Sequence, residues 1–282
     1  MATQGQRSDI THHYLRAKKK FPNVWCAGCG NGIVMGALIR TIDRMGLDKD
    51  NVAVVSGIGC SSRLPVYLDF NTLHTTHGRA LAFATGVKMA KPHMKVIVIT
   101  GDGDALAIGG NHFIHACRRN IDLTTILINN RIYGMTGGQF SPTTTGGAYA
   151  TTAPYGNYEK QFDIVKLAVA AGASYVARGT VYHVQQLEKL IEGGINKKGL
   201  AIIEAFSNCH TYYGRMNREG DAVAMISWMK DHAMPIQAAA KLPPEKMVGK
   251  FVTGLIHETE ASEFCEEYQK LIDRLAVKEE GK

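Results

Sequence analysis

Apolar residues in this chain fall into two kinds of run. Four are short and unbroken: Val52 to Ser56, Lys95 to Thr100, Leu123 to Ile128 and Leu200 to Phe206. Rich in Val, Ile and Leu and lacking a polar residue at every second position, they predict strands buried on both faces. Between them the apolar positions return at helical spacing. Asn31 to Met45 places Ile33, Val34, Ala37, Leu38, Ile39 and Ile42 on one stripe, and Gly78 to Met89, Gly109 to Arg119, Phe162 to Ala171 and Tyr182 to Ile191 carry similar stripes. Strands alternating with helices predict an α/β fold, a doubly wound and mostly parallel sheet with helices on both faces. Ligands of such sheets gather at the carboxyl ends of the strands. Gly137 to Gly156, rich in Gly, Thr, Ser and Pro, is too long and polar for a simple connection and predicts a functional or mobile loop. Beyond Pro243 and Pro244 the chain is expected to end in a helix striped by Ala261, Phe264, Cys265, Tyr268, Leu271, Ile272 and Leu275, packed on this chain or on a partner. The expected organisation is one large α/β domain, residues 1–240, and a C-terminal extension, residues 241–282.

Composition narrows the picture little. With 282 residues, 45% hydrophobic and 20% charged, the chain is ordinary for a globular protein with a substantial core. Met1 to Asp9 is polar, and no stretch of about 20 apolar residues could span a bilayer, so a cytoplasmic location is expected, with no membrane association. The formal charge of +7 is moderate, and its densest run, Arg16 to Lys20, reads as a solvated face or as a steering patch for an acidic protein. No zinc-finger or RNA-binding motif is present, and no nucleic-acid partner is expected. Six cysteines in such a chain argue for metal or redox chemistry rather than a disulfide framework. Cys117 and Cys265, on helical stripes, read as small buried hydrophobes.

Chemistry enters at the strand ends. Asp102 follows the second strand between Gly101 and Gly103, which leave room for backbone to approach a ligand. Asp-Gly turns are common, so this alone says little. The stretch from Asp104 to Asp122 is long enough to cross back over the sheet as a helix, so the next strand delivers Asn129 and Asn130 to the rim that holds Asp102. A carboxylate and an amide oxygen facing one space suit Mg²⁺, which completes its octahedron with phosphate oxygens. Glycines and a helix start nearby favour an anion. A metal-bridged diphosphate fits between the two clusters.

The same rim collects cysteines. "WCAGCG" supplies Cys26 and Cys29, a C-x₂-C pair, while Cys60 follows the first strand and Cys209 the fourth. Four thiolates can bind a structural zinc or a [4Fe–4S] cluster, and spacing alone does not separate the two.

Gly-Asp-Gly followed by Asn-Asn resembles the diphosphate motif of thiamine-diphosphate enzymes. That resemblance implies their pyrophosphate-binding domain and Mg²⁺ held by Asp102, Asn130 and the backbone carbonyl of Ile132. Gly59, Ser61, Gly101, Gly103, Asp104, Gly134 and Thr136 then complete the cofactor site, with Thr136 to Gln139 wrapping the diphosphate or gating the substrate. Taken with "WCAGCGNG", "GIGCSSRLPVY", "HTTHGRALAFATGVKMA" and "NNRIYGMTGGQFSPTT", the chain resembles the β subunit of 2-oxoacid:ferredoxin oxidoreductases, most closely the 2-oxoglutarate branch. The likeness covers roughly Asn23 to Cys209. It implies that Cys26, Cys29, Cys60 and Cys209 bind one [4Fe–4S] cluster near the thiamine. Where the family usually has Cys-Pro-Gly-Cys this chain has Ala27, which alters loop stiffness and not ligand count.

The implied reaction is oxidative decarboxylation of a 2-oxoacid with coenzyme A to an acyl-CoA, electrons leaving singly to ferredoxin, or CO₂ fixation when reversed. Thiamine contributes the carbanion and holds the electron pair. Such enzymes need a glutamate on the aminopyrimidine ring, but no glutamate precedes Glu159 here and no second α/β half is present. The resemblance therefore implies an α subunit that brings this glutamate and much of the 2-oxoacid and CoA sites, in an (αβ)₂ assembly. Arg63 is a candidate for a substrate carboxylate, which guanidinium pairs bidentately, or for an interface ion pair. His74, His77 and Arg79 are candidates to line the pocket, His77 as the catalytic one. Three rivals stand beside this reading: a pyruvate or broad-range 2-oxoacid enzyme, a non-oxidative thiamine decarboxylase with structural zinc, and an electron-transfer module that never binds thiamine.

Overall fold

A computed structural model describes residues 10–17 and 22–280. The polar start, Met1 to Asp9, and Lys18 to Lys20 of the basic run lie outside the described residues. Arg16 is not simply solvated: its Nε donates to the Leu68 carbonyl at 2.8 Å and its guanidinium also reaches Thr72 Oγ1.

Eight strands form one sheet: β1 Val52–Ser56, β2 Asn71–His74, β3 Lys95–Gly101, β4 Thr124–Asn129, β5 Tyr175–Thr180, β6 Ala201–Phe206, β7 Ala233–Pro235 and β8 Phe251–Glu258. Their order is β2-β1-β3-β4-β6-β5-β8-β7, with every pairing parallel except β5 with β8. The principal helices are α1 Asn31–Arg44, α2 Ala80–Ala90, α3 Gly110–Arg119, α4 Ile164–Ala170, α5 Val184–Asn196, α6 Ala222–His232 and α7 Phe264–Glu280. None is long and apolar enough to cross a membrane.

The unbroken apolar runs are explained by the side-chain period of two. Val52, Val54, Ile97, Ile99, Ile126, Ile128, Ala201 and Ile203 face the core shared with α1 and α5. Their neighbours Ala53, Val55, Val96, Val98, Leu127 and Ile202 face the other core, under α2, α3 and α4. A strand sandwiched this way has no wet face on which to place polar residues.

Four strands escaped the sequence reading. β2 is a short edge strand, largely exposed, and β7 has three residues. Arg178 breaks the apolar run of β5, yet it sits opposite Glu204 of β6 and is satisfied there at 2.6 Å. β8 lies within residues 241–282 and pairs antiparallel with β5, so this segment adds to the main sheet. The loop Gly137 to Gly156, expected to be functional or mobile, is tied down by its own hydrogen bonds, including Thr151 N to Gly138 O and Gly147 N to Asn157 O, and by a small core of Ile132, Ala150, Ala153, Tyr213 and Met225.

Of the two helical cysteines, Cys117 is fully buried beside Phe113. Cys265 is only half-buried and lies 3.7 Å from Met89 Sδ, because α7 rests on the body mainly through Phe264. Further along α7, Tyr268, Leu271, Ile272 and Leu275 are exposed.

Candidate active site

Because β1, β3, β4 and β6 are parallel neighbours, Ser56, Gly101, Asn129 and Phe206 end on one rim. A cleft on that rim takes in Gly59 and Ser61, the stretch Gly101 to Asp104, then Asn130, Ile132, Gly134 and Thr136, together with Cys60 and His77.

Asp102 lies at its floor, 3% exposed. One carboxylate oxygen accepts from Ser141 Oγ at 2.5 Å and lies 2.6 Å from Thr143 Oγ1. No cationic side chain pairs with it among the described residues, and burial pushes its pKa up to about 6 against the opposing pull of those hydroxyls. A buried carboxylate without a counter-charge is an unfavourable element of a fold unless a cation joins it. Ser141 and Thr143 were not read as site residues. Their one signal is a run of hydroxyls, "SPTTT", downstream of the paired asparagines.

The two asparagines divide the work. Asn129 is buried and donates through Nδ2 to Glu204 Oε1 at 2.8 Å, extending a buried chain across three strands to Arg178 and Asp163. Asn130 faces the cleft. Between it and Ile132, Arg131 adopts φ 63°, a left-handed conformation uncommon for a side chain of that size. Its guanidinium is held by Glu219 at 2.9 Å and stacks 4.0 Å from the Tyr213 ring centroid.

Asp104, expected in the cofactor site, lines the cleft with both carboxylate oxygens already engaged. Its Oδ1 accepts the backbone N–H groups of Gly78 at 2.7 Å and Ile58 at 3.2 Å and lies 2.5 Å from His77 Nδ1, while Oδ2 accepts from Thr100 Oγ1 at 2.8 Å. With its oxygens engaged, Asp104 pins the loops after β1 and β2 to the end of β3. Gly57 is required by that hub, since a Cβ there would stand 2.0 Å from Asp104 Oδ2. Gly57→Ala is expected to lower stability by about 2–4 kcal/mol, from overpacking and disrupted buried bonds, read as a lower thermal midpoint.

Bound to Asp104, His77 Nδ1 must carry a proton, which leaves Nε2 as the free ring nitrogen. His74 is instead exposed on β2 and paired with Ser56 Oγ at 3.0 Å, and Arg79 donates to the Ile108 carbonyl at 3.0 Å, so neither serves as a pocket residue. Thr136 and Gln139 bond to each other, Thr136 Oγ1 lying 2.5 Å from Gln139 Oε1. Arg63 lies in the short 3₁₀ segment Ser61–Val66, half-buried, its backbone N–H donating to the Cys60 carbonyl at 3.3 Å and its side chain in no hydrogen bond or ion pair among the described residues, and it is not part of the cleft wall.

The four cysteines gather at one place. Burial pushes Cys29 up to about 12 and Cys60 up to about 11 and raises Cys209, and the charge of Cys26 adds to each rise. A Cβ at Gly134 would lie 3.4 Å from Cys60 Sγ and 3.6 Å from Cys209 Sγ. Gly28, between the paired cysteines, has φ +85°, and a Cβ there would strike Ala222 Cβ at 2.6 Å, so this turn demands glycine. Trp25 Nε1 fastens the turn to the Cys60 carbonyl at 2.7 Å. Only Cys26 is exposed.

Among the described residues no three His, Cys, Asp or Glu side chains close on a point the size of one metal ion. Cys26, Cys60 and Cys209 nonetheless lie close enough for their charges to act on Cys29. Around these cysteines the buried donors Asn31 Nδ2 and Ser207 Oγ have no partner. An inorganic group with acceptor sulfides fits that setting.

Comparison with known proteins matches these features. The family model for the thiamine pyrophosphate enzyme C-terminal TPP-binding domain matches residues 57–205, a span that includes Cys60, Asp102 and Asn130 but not Cys26, Cys29 or Cys209. The 2-oxoglutarate synthase subunit KorB of Methanocaldococcus jannaschii is 53% identical over 262 residues, 93% of this chain and 97% of that protein. The subunit of the same name from Archaeoglobus fulgidus is 60% identical over 199 residues, 71% of this chain and 74% of that one. Among solved structures, a 2-oxoglutarate:ferredoxin oxidoreductase from Magnetococcus marinus with 2-oxoglutarate, coenzyme A and succinyl-CoA bound superposes with a TM-score of 0.84 at 34% identity, covering 94% of this chain and 90% of that one. The chain belongs to the β-subunit family of 2-oxoacid:ferredoxin oxidoreductases, in its 2-oxoglutarate synthase branch.

Proposed function

We propose that this chain is the cofactor-bearing subunit of a cytoplasmic enzyme that converts 2-oxoglutarate and coenzyme A to succinyl-CoA and CO₂ and passes electrons singly to ferredoxin, and that fixes CO₂ in reverse. The observation that carries the reading is the shared wall between the two halves of the site: Cys60 and Gly134 line the cleft and also belong to, or touch, the sulfur quartet.

Asp102, Asn130 and the Ile132 carbonyl would hold Mg²⁺, whose charge answers the unpaired buried carboxylate. Gly101, Gly103 and Gly134 bring backbone up to the diphosphate, and the ring of Tyr133 closes over Gly103. Bound thiamine diphosphate supplies the carbanion for the keto carbon and the sink for the electron pair left by CO₂. A [4Fe–4S] cluster on Cys26, Cys29, Cys60 and Cys209 supplies one-electron acceptance. His77, oriented by Asp104, presents Nε2 to hold or move a proton. Arg63, whose side chain has no ion-pair partner among the described residues, is assigned to a substrate carboxylate.

The carboxylates of the cleft are Asp102 and Asp104, one at the metal position and one engaged by four donors. Neither is free for an aminopyrimidine ring. An α subunit brings that glutamate and completes an (αβ)₂ enzyme. The purified chain alone is expected to release no CO₂ from 2-oxoglutarate, whereas the co-purified complex does so and reduces ferredoxin. Turnover by the lone chain contradicts the assignment, and preference for pyruvate in the complex changes the substrate.

Acidity offers a separate check. With the Asp102 pKa at about 6, the metal-free site is ionised above that value and must lose a proton to bind Mg²⁺ below it. Affinity for Mg²⁺–thiamine diphosphate is expected to be flat above pH 6 and to drop about tenfold per unit below it, as read by calorimetry.

A further inference from the structure

The segment from Asn130 to Met135 belongs to both halves of the site. Asn130 and Ile132 lie at the metal and diphosphate end of the cleft, and Gly134 and Met135 at the sulfur end. A Cβ built on Gly134 would be in ordinary van der Waals contact with Cys60 Sγ at 3.4 Å and Cys209 Sγ at 3.6 Å, so the strap runs directly beside both sulfurs. The Met135 backbone N–H faces the Cys60 sulfur. Between these ends the chain is fastened: Tyr133 N donates to Gln139 O at 2.9 Å, Gly138 N to Tyr133 O at 2.9 Å, and Tyr133 Oη to Gly103 O at 2.9 Å, inside the Gly-Asp-Gly turn itself. Asn130 Oδ1 accepts the Ile132 N–H at 3.2 Å, so a cation that takes this oxygen competes with that bond and loads the strap at its first residue.

We propose that this strap is a coupling element: filling the metal–diphosphate site resets the N–H···S contact of Met135 on Cys60 and thereby the electron affinity of the cluster, with Gly134 and Met135 as positioning residues. The physical basis is that N–H donors aimed at ligand sulfurs withdraw charge and govern reduction potential. A strap under such control makes the cluster a ready acceptor only when the cofactor beside it is in place. The inference rests on the cofactor assignment above.

The test uses the co-purified αβ complex depleted of thiamine, with iron and sulfide assayed first. Absence of iron refutes the assignment of the quartet and says so independently of the coupling. With iron present, the cluster's EPR line shape and redox titration are compared before and after two probes, Mg²⁺–thiamine diphosphate and Mg²⁺–pyrophosphate. Both are expected to change the line shape and to alter the reduced-to-oxidised ratio at fixed potential by at least about threefold. Pyrophosphate carries no thiazolium charge, so a response to thiamine diphosphate alone is a through-space field and overturns the coupling, as does no response to either. Met135→Ala keeps the amide and is expected to retain the response. Tyr133→Phe, which removes the Oη bond from the strap to the Gly103 carbonyl, is expected to keep iron and lose the response; an unchanged response there also overturns the role of the strap. If Tyr133→Phe does not retain iron, the two-probe titrations of the native complex and of Met135→Ala decide.

Discussion

Asp102→Asn in the αβ complex is expected to abolish turnover and thiamine retention while making the cofactor-free protein more stable at neutral pH. The two effects share one cause. Asp102 is 3% exposed and has hydroxyl partners but no cation, and burial lifts its pKa from the usual carboxylate value to about 6. A folded-state pKa raised above the unfolded one means that ionisation works against folding. The penalty is fully present above pH 6 and fades as pH falls through 6 towards the unfolded value. At neutral pH it amounts to about 3 kcal/mol, which the amide removes. Ser141 and Thr143 can still bond to the amide, since hydroxyl rotors adapt. Mg²⁺, however, loses its only anionic protein ligand, and affinity for the metal–diphosphate pair is expected to fall more than about 100-fold. Thermal unfolding of the cofactor-free chain at pH 8 and pH 5, with thiamine content measured on the complex, reads both. A variant that destabilises the empty chain equally at both values would place Asp102 among ordinary structural residues.

Such a residue breaks the rule that a fold satisfies its buried groups, and departures of this kind cluster at working sites. The legible parts of the sequence divide along the same line. The core strands could be read because both their faces are dry, as the split of Val52 and Val54 from Ala53 and Val55 between two cores illustrates. β5 could not, because Arg178 belongs to a buried chain with Glu204 and Asp163 whose partners lie on other elements. The resemblance places Asp104 in the cofactor site, but its hub role is not legible, because its donors come from Ile58, His77 and Gly78, distant in sequence and joined only by the fold. Ser141 and Thr143 reach Asp102 across a loop of 39 and 41 residues' separation, which no local spacing reveals. What was legible is chemistry placed directly after a strand, as with Asp102, Asn130, Cys60 and Cys209. What was not is chemistry supplied by residues that earn their position through tertiary contacts.

Cys209→Ala and Cys60→Ala in the same complex are expected to part company. Cys209 follows β6, its sulfur faced by the backbone N–H groups of Tyr212 and Tyr213, and it does not line the cofactor cleft. Its removal takes one of four thiolates from a centre that needs all four, so iron, brown absorbance and ferredoxin reduction should be lost while thiamine stays bound. Cys60 serves on both sides of the shared wall, through its sulfur and through the turn that carries Gly59 and Ser61 into the cleft, and Trp25 anchors its carbonyl. Cys60→Ala is therefore expected to lose iron and, in addition, to hold thiamine diphosphate more weakly. Metal analysis and thiamine content on the two variants and the parent complex supply the comparison. Stoichiometric zinc without iron in the parent, with decarboxylation that needs no ferredoxin, would instead make the quartet a structural staple; the unpartnered donors Asn31 Nδ2 and Ser207 Oγ around it argue for a group that carries acceptor sulfides.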